Sequence, residues 1–209
     1  GQTELTEAVL GLQDHVSGSI RLNGKELVGR SVRRILESDV GFIPEDRQVD
    51  GLVPGFTIAE NLMLNQCFES QFVRNGVLLL GRLREFAEEK LEEYDVRAPG
   101  IDTLAGNLSG GNQQKLVVAR ELSRDLNLLV AAQPTRGVDV GSIEFIHKQI
   151  VAARDRGVPV LLVSTELDEV VALADRIMVL YRGQIVGIVP ADTPRQTLGL
   201  MMTGERPKD

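Results

Sequence analysis

The 209-residue chain has no tryptophan, two tyrosines, six phenylalanines, two histidines and one cysteine. With Cys67 alone there is no intramolecular disulfide, which suits a reducing compartment. Two distant histidines and one cysteine supply no cluster for a structural metal; His15 lies in a polar turn and His147 beside Ile146 and Ile150 on a helix. No apolar run approaches the roughly 18 residues that would suggest a membrane span. Basic residues are outnumbered, 23 to 30, and a net charge of −7 argues against a nucleic-acid surface. The first residues, "GQTEL", contain no methionine and no secretory pattern. One absence is local. The apolar run "NLLVAAQPTRGVDVG" ends in Ala132 and Gln133, where a strand serving a nucleotide would end in two acids.

What is present is an ordinary globular composition, 43% hydrophobic and 25% charged, with enough apolar material for a sizeable core. Leu5, Val9, Leu10 and Leu12 predict a helix at the start. "GSIRLNGKEL" predicts a hairpin turning at Asn23-Gly24, and "DVGFIPEDR" a short strand closed by Pro44. Residues from Phe56 to about Val96 read as helical, with apolar stripes and acidic faces. Beyond them come the helix "NQQKLVVARELSRD", the strand "NLLVAA", the helix "SIEFIHKQIVAARDR" and the strand "VPVLLVST". The helix "ELDEVVALAD", the hairpin "RIMVLYRGQIVGIV" and a short helix near "TLGLMMTG" follow. Continuous Val/Leu strands alternating with amphipathic helices imply an α/β fold around a buried parallel sheet. No internal repeat or low-complexity linker is visible.

The stretch "LSGGNQQK" carries the chemistry. Gly110 and Gly111 let a ligand approach the backbone, and the helix they open offers unpaired N–H groups and a partial positive charge to a phosphate. Taken alone, Ser109 as a plain helix cap explains the same residues. The order that follows, a strand, the loop "PTRGVDVG" and a βαβ unit, adds the missing context.

This order resembles the nucleotide-binding domain of ABC transporters over nearly the whole chain. "LSGGNQQK" is similar to the signature of ATPases that serve sugar and nucleoside importers. The resemblance implies a P-loop NTPase-like α/β core over residues 1–209 with a helical subdomain inserted at about 51–106. It also implies that "GQTEL" is the end of a P-loop, G-K-[ST]-x-L. Gly1 then matches the last glycine, Gln2 the lysine and Thr3 the Mg²⁺-binding hydroxyl. On that alignment the first strands lie upstream, and the chain is expected to be a fragment holding the second, C-terminal ATPase domain of a tandem protein.

The same alignment exposes departures. Gln2 replaces the lysine, and Glu4 adds a negative charge in the first turn. Ala132 replaces the Walker B aspartate that supports Mg²⁺, and Gln133 the catalytic glutamate; an amide positions water but is no base near pH 7. Glu45 stands at the Q-loop glutamine and Thr165 at the switch histidine. All belong to one half-site. ABC ATPase domains pair head to tail, so the resemblance implies that Leu108, Ser109, Gly110, Gly111, Asn112 and Gln113 face ATP held by the other ATPase domain, with Asp139 as a D-loop contact. The expected ensemble is two ATPase domains on the cytoplasmic face of the membrane, a permease, an extracytoplasmic substrate-binding protein, ATP and Mg²⁺. Two alternatives stay open at this point. One is a regulatory or structural nucleotide-binding module without turnover. The other is a soluble ABC-type ATPase acting on nucleic acid or ribosomes, which the charge disfavours.

Overall fold

The computed structural model describes residues 1–67 and 69–205. The chain divides into two compact units, Asp39–Leu161 and the combination of Gly1–Ser38 with the segment from Leu162 onward.

The first unit in sequence opens with α1 (Gln2–Leu10), which buries Thr6, Val9 and Leu10. It stops at Gly11, whose φ of 72° is left-handed; a Cβ there would meet the Arg30 carbonyl oxygen at 2.8 Å. The predicted hairpin forms as β1 (Arg21–Leu22) and β2 (Lys25–Glu26), and α2 (Val32–Leu36) starts on a Ser31 cap. After α7 (Leu167–Leu173) come the long hairpin β8 (Arg176–Tyr181) and β9 (Gln184–Pro190) and the helix α8 (Arg195–Met202). Ile177 and Val179 of β8 pack with Leu198 and Met201 of α8, with Leu167 and Val170 of α7 against them.

Glu26 is the charged centre of the small hairpin. Its carboxylate accepts from Ser19 Oγ at 2.5 Å, from the Ile20 amide at 2.9 Å and from the Val28 amide at 3.1 Å. Those donors, Ser19 first, pull its carboxyl down to about 2. A carboxyl depressed in the folded state stabilises the fold above its unfolded value of about 4.3, and that contribution is lost as pH falls toward 2. Replacing Glu26 by Gln should flatten the fall of melting temperature across that acid window and leave the neutral-pH slope unchanged. Circular dichroism melts at pH 2.5, 3.5, 4.5 and 7 make the comparison.

The second unit is built on a sheet ordered β3-β6-β7, with β3 Val40–Ile43, β6 Leu128–Ala132 and β7 Val160–Val163. β3 and β6 are parallel, Val40 opposite Leu128 and Ile43 opposite Ala131. Such a pair needs a long crossover, and here it carries α3 (Ile58–Met63), α4 (Leu80–Glu93) and α5 (Gly110–Leu122). α3 begins in a reciprocal capping box between Thr57 and Glu60. The continuous helical reading of Phe56–Val96 is corrected: a hairpin, β4 (Val73–Arg74) and β5 (Val77–Leu78), interrupts it. Its turn residues Asn75 and Gly76 both have positive φ, 53° and 76°, as a two-residue hairpin turn demands. β6 leads by a short loop into α6 (Val140–Asp155), which buries Ile146, Ile150 and Ala153.

Candidate functional site at the start of α5

Ser109 adopts an extended conformation and caps α5, its Oγ accepting from the Asn112 amide at 3.4 Å and from Asn112 Nδ2 at 3.0 Å. Ser109 is exposed, Gly110 half-buried and Gly111 buried. Substitution of either glycine would create overlap. A Cβ on Gly110 would lie 2.6 Å from Arg47 Nη2, and one on Gly111 would run into Ser142 Oγ and the Asp139 carboxylate. The two glycines are therefore spacers that let the helix start sit against Arg47 on one side and the start of α6 on the other.

The polar residues after them turn inward. Gln113 donates from Nε2 to the Ala105 carbonyl at 3.2 Å, and Gln114 to the Pro134 carbonyl at 2.8 Å. Both are buried, so Gln113 acts in this structure through packing rather than by facing outward as Ser109 does. Leu108 is buried as well. Lys115 Nζ donates to the Asp95 carbonyl at 3.0 Å and to its carboxylate, and lies 4.9 Å from the centroid of the Phe145 ring. That ammonium holds the Asp95 carboxyl below its usual range. Asn112 Oδ1 accepts from the Arg97 amide at 2.9 Å. A cavity of about 530 Å³ opens beside these groups, lined among others by Arg97, Ser109, Asn112, Lys115 and Lys148.

Asp139 caps α6, accepting from the Ser142 amide at 3.1 Å and from Ser142 Oγ at 2.8 Å, and these donors depress its carboxyl. It is exposed and next to Gly111, so the loop after β6 and the start of α5 form one surface.

Ala132 is buried at the end of β6 and brings no carboxylate. Gln133 takes a left-handed φ of 49°, a conformation costly for a residue with a side chain, and its carbonyl accepts from the Arg136 amide at 3.0 Å. Glu45 is ion-paired with Arg136. In the other unit Gly1, Gln2 and Thr3 are exposed at the start of α1, and Thr165 is exposed before α7. Among the described residues no group of three His, Cys, Asp or Glu could hold a metal ion. A hard divalent cation wants several oxygen donors at one point. Ala132 and Gln133 bring no carboxylate and Glu45 is ion-paired with Arg136, so these residues do not by themselves fit Mg²⁺.

The family described as ABC transporter matches over residues 1–136. The chain belongs to this family. Solved ABC structures superimpose well: the dimeric ATP-binding cassette MJ0796 in a post-hydrolysis state with ADP and Pi gives a TM-score of 0.76 over 91% of this chain and 81% of that one, at 20% identity. A nucleotide-free cassette from an ABC transporter gives 0.73 over 98% of this chain and 80% of that one, also at 20% identity. The fold is thus the ABC ATPase α/β fold with a parallel sheet core. Among curated proteins, the nucleoside import ATP-binding protein NupA of Lactococcus lactis is 48% identical over 98% of this chain, and the guanosine import ATP-binding protein NupO of Bacillus subtilis 48% over 100% of this chain. The glucose import ATP-binding protein TsgD13 of Haloferax volcanii is 44% identical over 98%. The chain spans about two fifths of each of these relatives, 38–41%.

Two residues escaped the sequence reading. Arg47 and Arg136 connect the segment after β3 with the loop after β6, and their only sequence signal is the pair "PEDR" and "PTRG" at the ends of parallel strands.

Proposed function

We propose that this chain is a nucleotide-binding domain of an ABC importer, the second of a tandem pair, and that the importer carries nucleosides or simple sugars. The observation that carries this reading is the contrast within the chain. The start of α5 keeps its serine cap and two crowded glycines, while the positions that would hold and cleave this chain's own nucleotide are Gln2, Ala132 and Gln133. Ser109, Gly110 and Gly111 bind the γ-phosphate of ATP carried by the other ATPase domain, with backbone N–H groups and the helix dipole supplying the attraction. Gln2 withholds the ammonium that a P-loop lysine would bring, and a charge-assisted hydrogen bond is worth about 1.5–3 kcal/mol. Nucleotide is therefore held more weakly at this chain's half-site, and hydrolysis belongs to the opposite one. Mg²⁺ likewise serves the opposite site.

The nucleoside reading is supported by the two nucleoside-type relatives at 48% identity, against 44% for the glucose relative and 35–37% for the ribose and arabinose relatives. A permease in the membrane and an extracytoplasmic binding protein complete the assembly, with this domain at the cytoplasmic face. No helix among the described residues is long and apolar enough to cross a membrane. The test is uptake into proteoliposomes containing the full-length protein and its permease. ATP-dependent accumulation of labelled guanosine, not competed by excess ribose, is expected. Accumulation of ribose alone would move the substrate to the sugar branch, and ATP-independent accumulation of either would refute the reading.

A further inference from the structure

The segment that follows β3 is a π-helical turn, Arg47–Gly51, capped by Asp46. π-turns cost regular hydrogen bonding and cluster at functional places. This one is attached along α5. Gln48 Nε2 reaches Gln113 Oε1 at 3.4 Å, and the Gly51 carbonyl accepts from Arg120 Nη1 at 2.7 Å. At the front, Arg47 donates from Nη1 to the Arg136 carbonyl at 2.8 Å and from Nη2 to the Gly137 carbonyl at 3.3 Å. Nη2 is also the atom that a Cβ on Gly110 would strike. One guanidinium thus grips two consecutive carbonyls of the loop after β6 while lying against the first signature glycine. Arg136 returns the tie by pairing with Glu45, two residues before Arg47.

Stability alone is a poor account of this grip. Arg47 Nε is buried with no hydrogen-bond partner, and a buried donor left unmade costs free energy. A glutamine would satisfy one carbonyl without that penalty. An arginine supplies what a shorter side chain cannot, a planar fork that fixes two carbonyls in one plane and fills the space over Gly110.

We propose that Arg47 is a positioning residue for the phosphate-facing start of α5: it locks Gly110 to the Arg136–Gly137 loop, so that Ser109, Gly110 and Gly111 are presented to the opposite ATP in one fixed orientation. The inference rests on the reading that this helix start serves a nucleotide held by the other domain. It also explains the loop's retention after the loss of its acids. The carbonyls of Arg136 and Gly137 are the anchor for Arg47, whatever stands at Ala132 and Gln133. A misplaced binding group lowers turnover far more than ground-state affinity, because orientation is expressed in the transition state.

The test uses the full-length protein assembled with its permease. Arg47→Ala should lower kcat for ATP about tenfold or more and leave KM for ATP within about twofold. Arg47→Lys, which keeps the charge but not the fork, should recover only part of kcat. Independently of activity, amide exchange in the peptide 104–116 should quicken in Arg47→Ala without nucleotide, while peptides from β6 stay protected. A kcat within about twofold of wild type, unchanged exchange or a KM that rises in step with the fall in kcat would each overturn the proposal, the last because Arg47 would then be touching nucleotide itself. Ser109→Arg separates the two claims. If it silences turnover and Arg47→Ala does not, Arg47 alone is wrongly assigned; if it leaves turnover intact, the underlying reading falls and takes the Arg47 role with it.

Discussion

Ser109→Arg in the assembled transporter reduces ATP turnover by about 100-fold or more, whereas Thr3→Ala changes it by no more than about twofold; preorganised donors at a developing charge are worth about 10²–10³ in rate when one is removed. Ser109 is exposed, and among the described residues its hydroxyl bonds only locally, to Asn112. Its replacement should therefore leave the fold standing, at the expense of a helix cap worth about 1 kcal/mol. The bulky side chain fills the approach to the N–H groups of Gly110 and Gly111, so the phosphate loses the hydroxyl and access to the backbone together. On the proposed reading, Thr3 stands beside Gln2 where a P-loop lysine would be, and Ala132 and Gln133 stand where the supporting acids would be. Steady-state hydrolysis of the two variants side by side is decisive. Equal losses would mean two competent sites; a large loss from Thr3→Ala alone would reverse the assigned division of labour.

The start of α5 was legible in the sequence because its signal is local. Ser109-Gly110-Gly111 announces a capped helix start within three residues, and α5 begins where the pattern placed it. The Asn23-Gly24 hairpin and the Val/Leu strands were readable for the same reason: turn chemistry and side-chain period act over a handful of positions. The failures are instructive. Asn75-Gly76 carries the same turn signal as Asn23-Gly24 and its strands are equally short, but it lies between two helical stripes whose apolar pattern overrode it. Arg47 was invisible because its partners are main-chain carbonyls 89 and 90 residues away, and a carbonyl has no sequence signature. Gln113 sits in the motif, and the structure turns its amide inward to Ala105. Motif membership locates the surface, and the pitch of the helix then decides which of its residues can reach a ligand.

Glu121→Ala destabilises the domain by about 3–5 kcal/mol, the toll of leaving a buried ionic group without its partner, and against a total of about 5–15 kcal/mol this approaches loss of folding. Glu121 is buried at the last turn of α5. Its carboxylate accepts from Arg120 Nε at 2.8 Å, from Asn65 Nδ2 at 3.0 and 3.1 Å, and from the Phe42 amide at 3.1 Å. The last bond matters because β3 is the outer strand of its described sheet, and Phe42 faces away from β6. Arg124 Nη2 does the same for the Val40 carbonyl at 3.1 Å, so side chains at the end of α5 and just after it cover an edge that no strand covers among the described residues. Truncation to alanine removes four hydrogen bonds at once and leaves the Arg120 guanidinium held only by the Gly51 carbonyl. Glu121→Gln keeps the shape and one acceptor oxygen, and should lose about half as much. Urea unfolding of the wild type and both variants measures the order. Equal stability of all three would show the pair to be replaceable. The expected order would show instead that the end of α5 carries the fold.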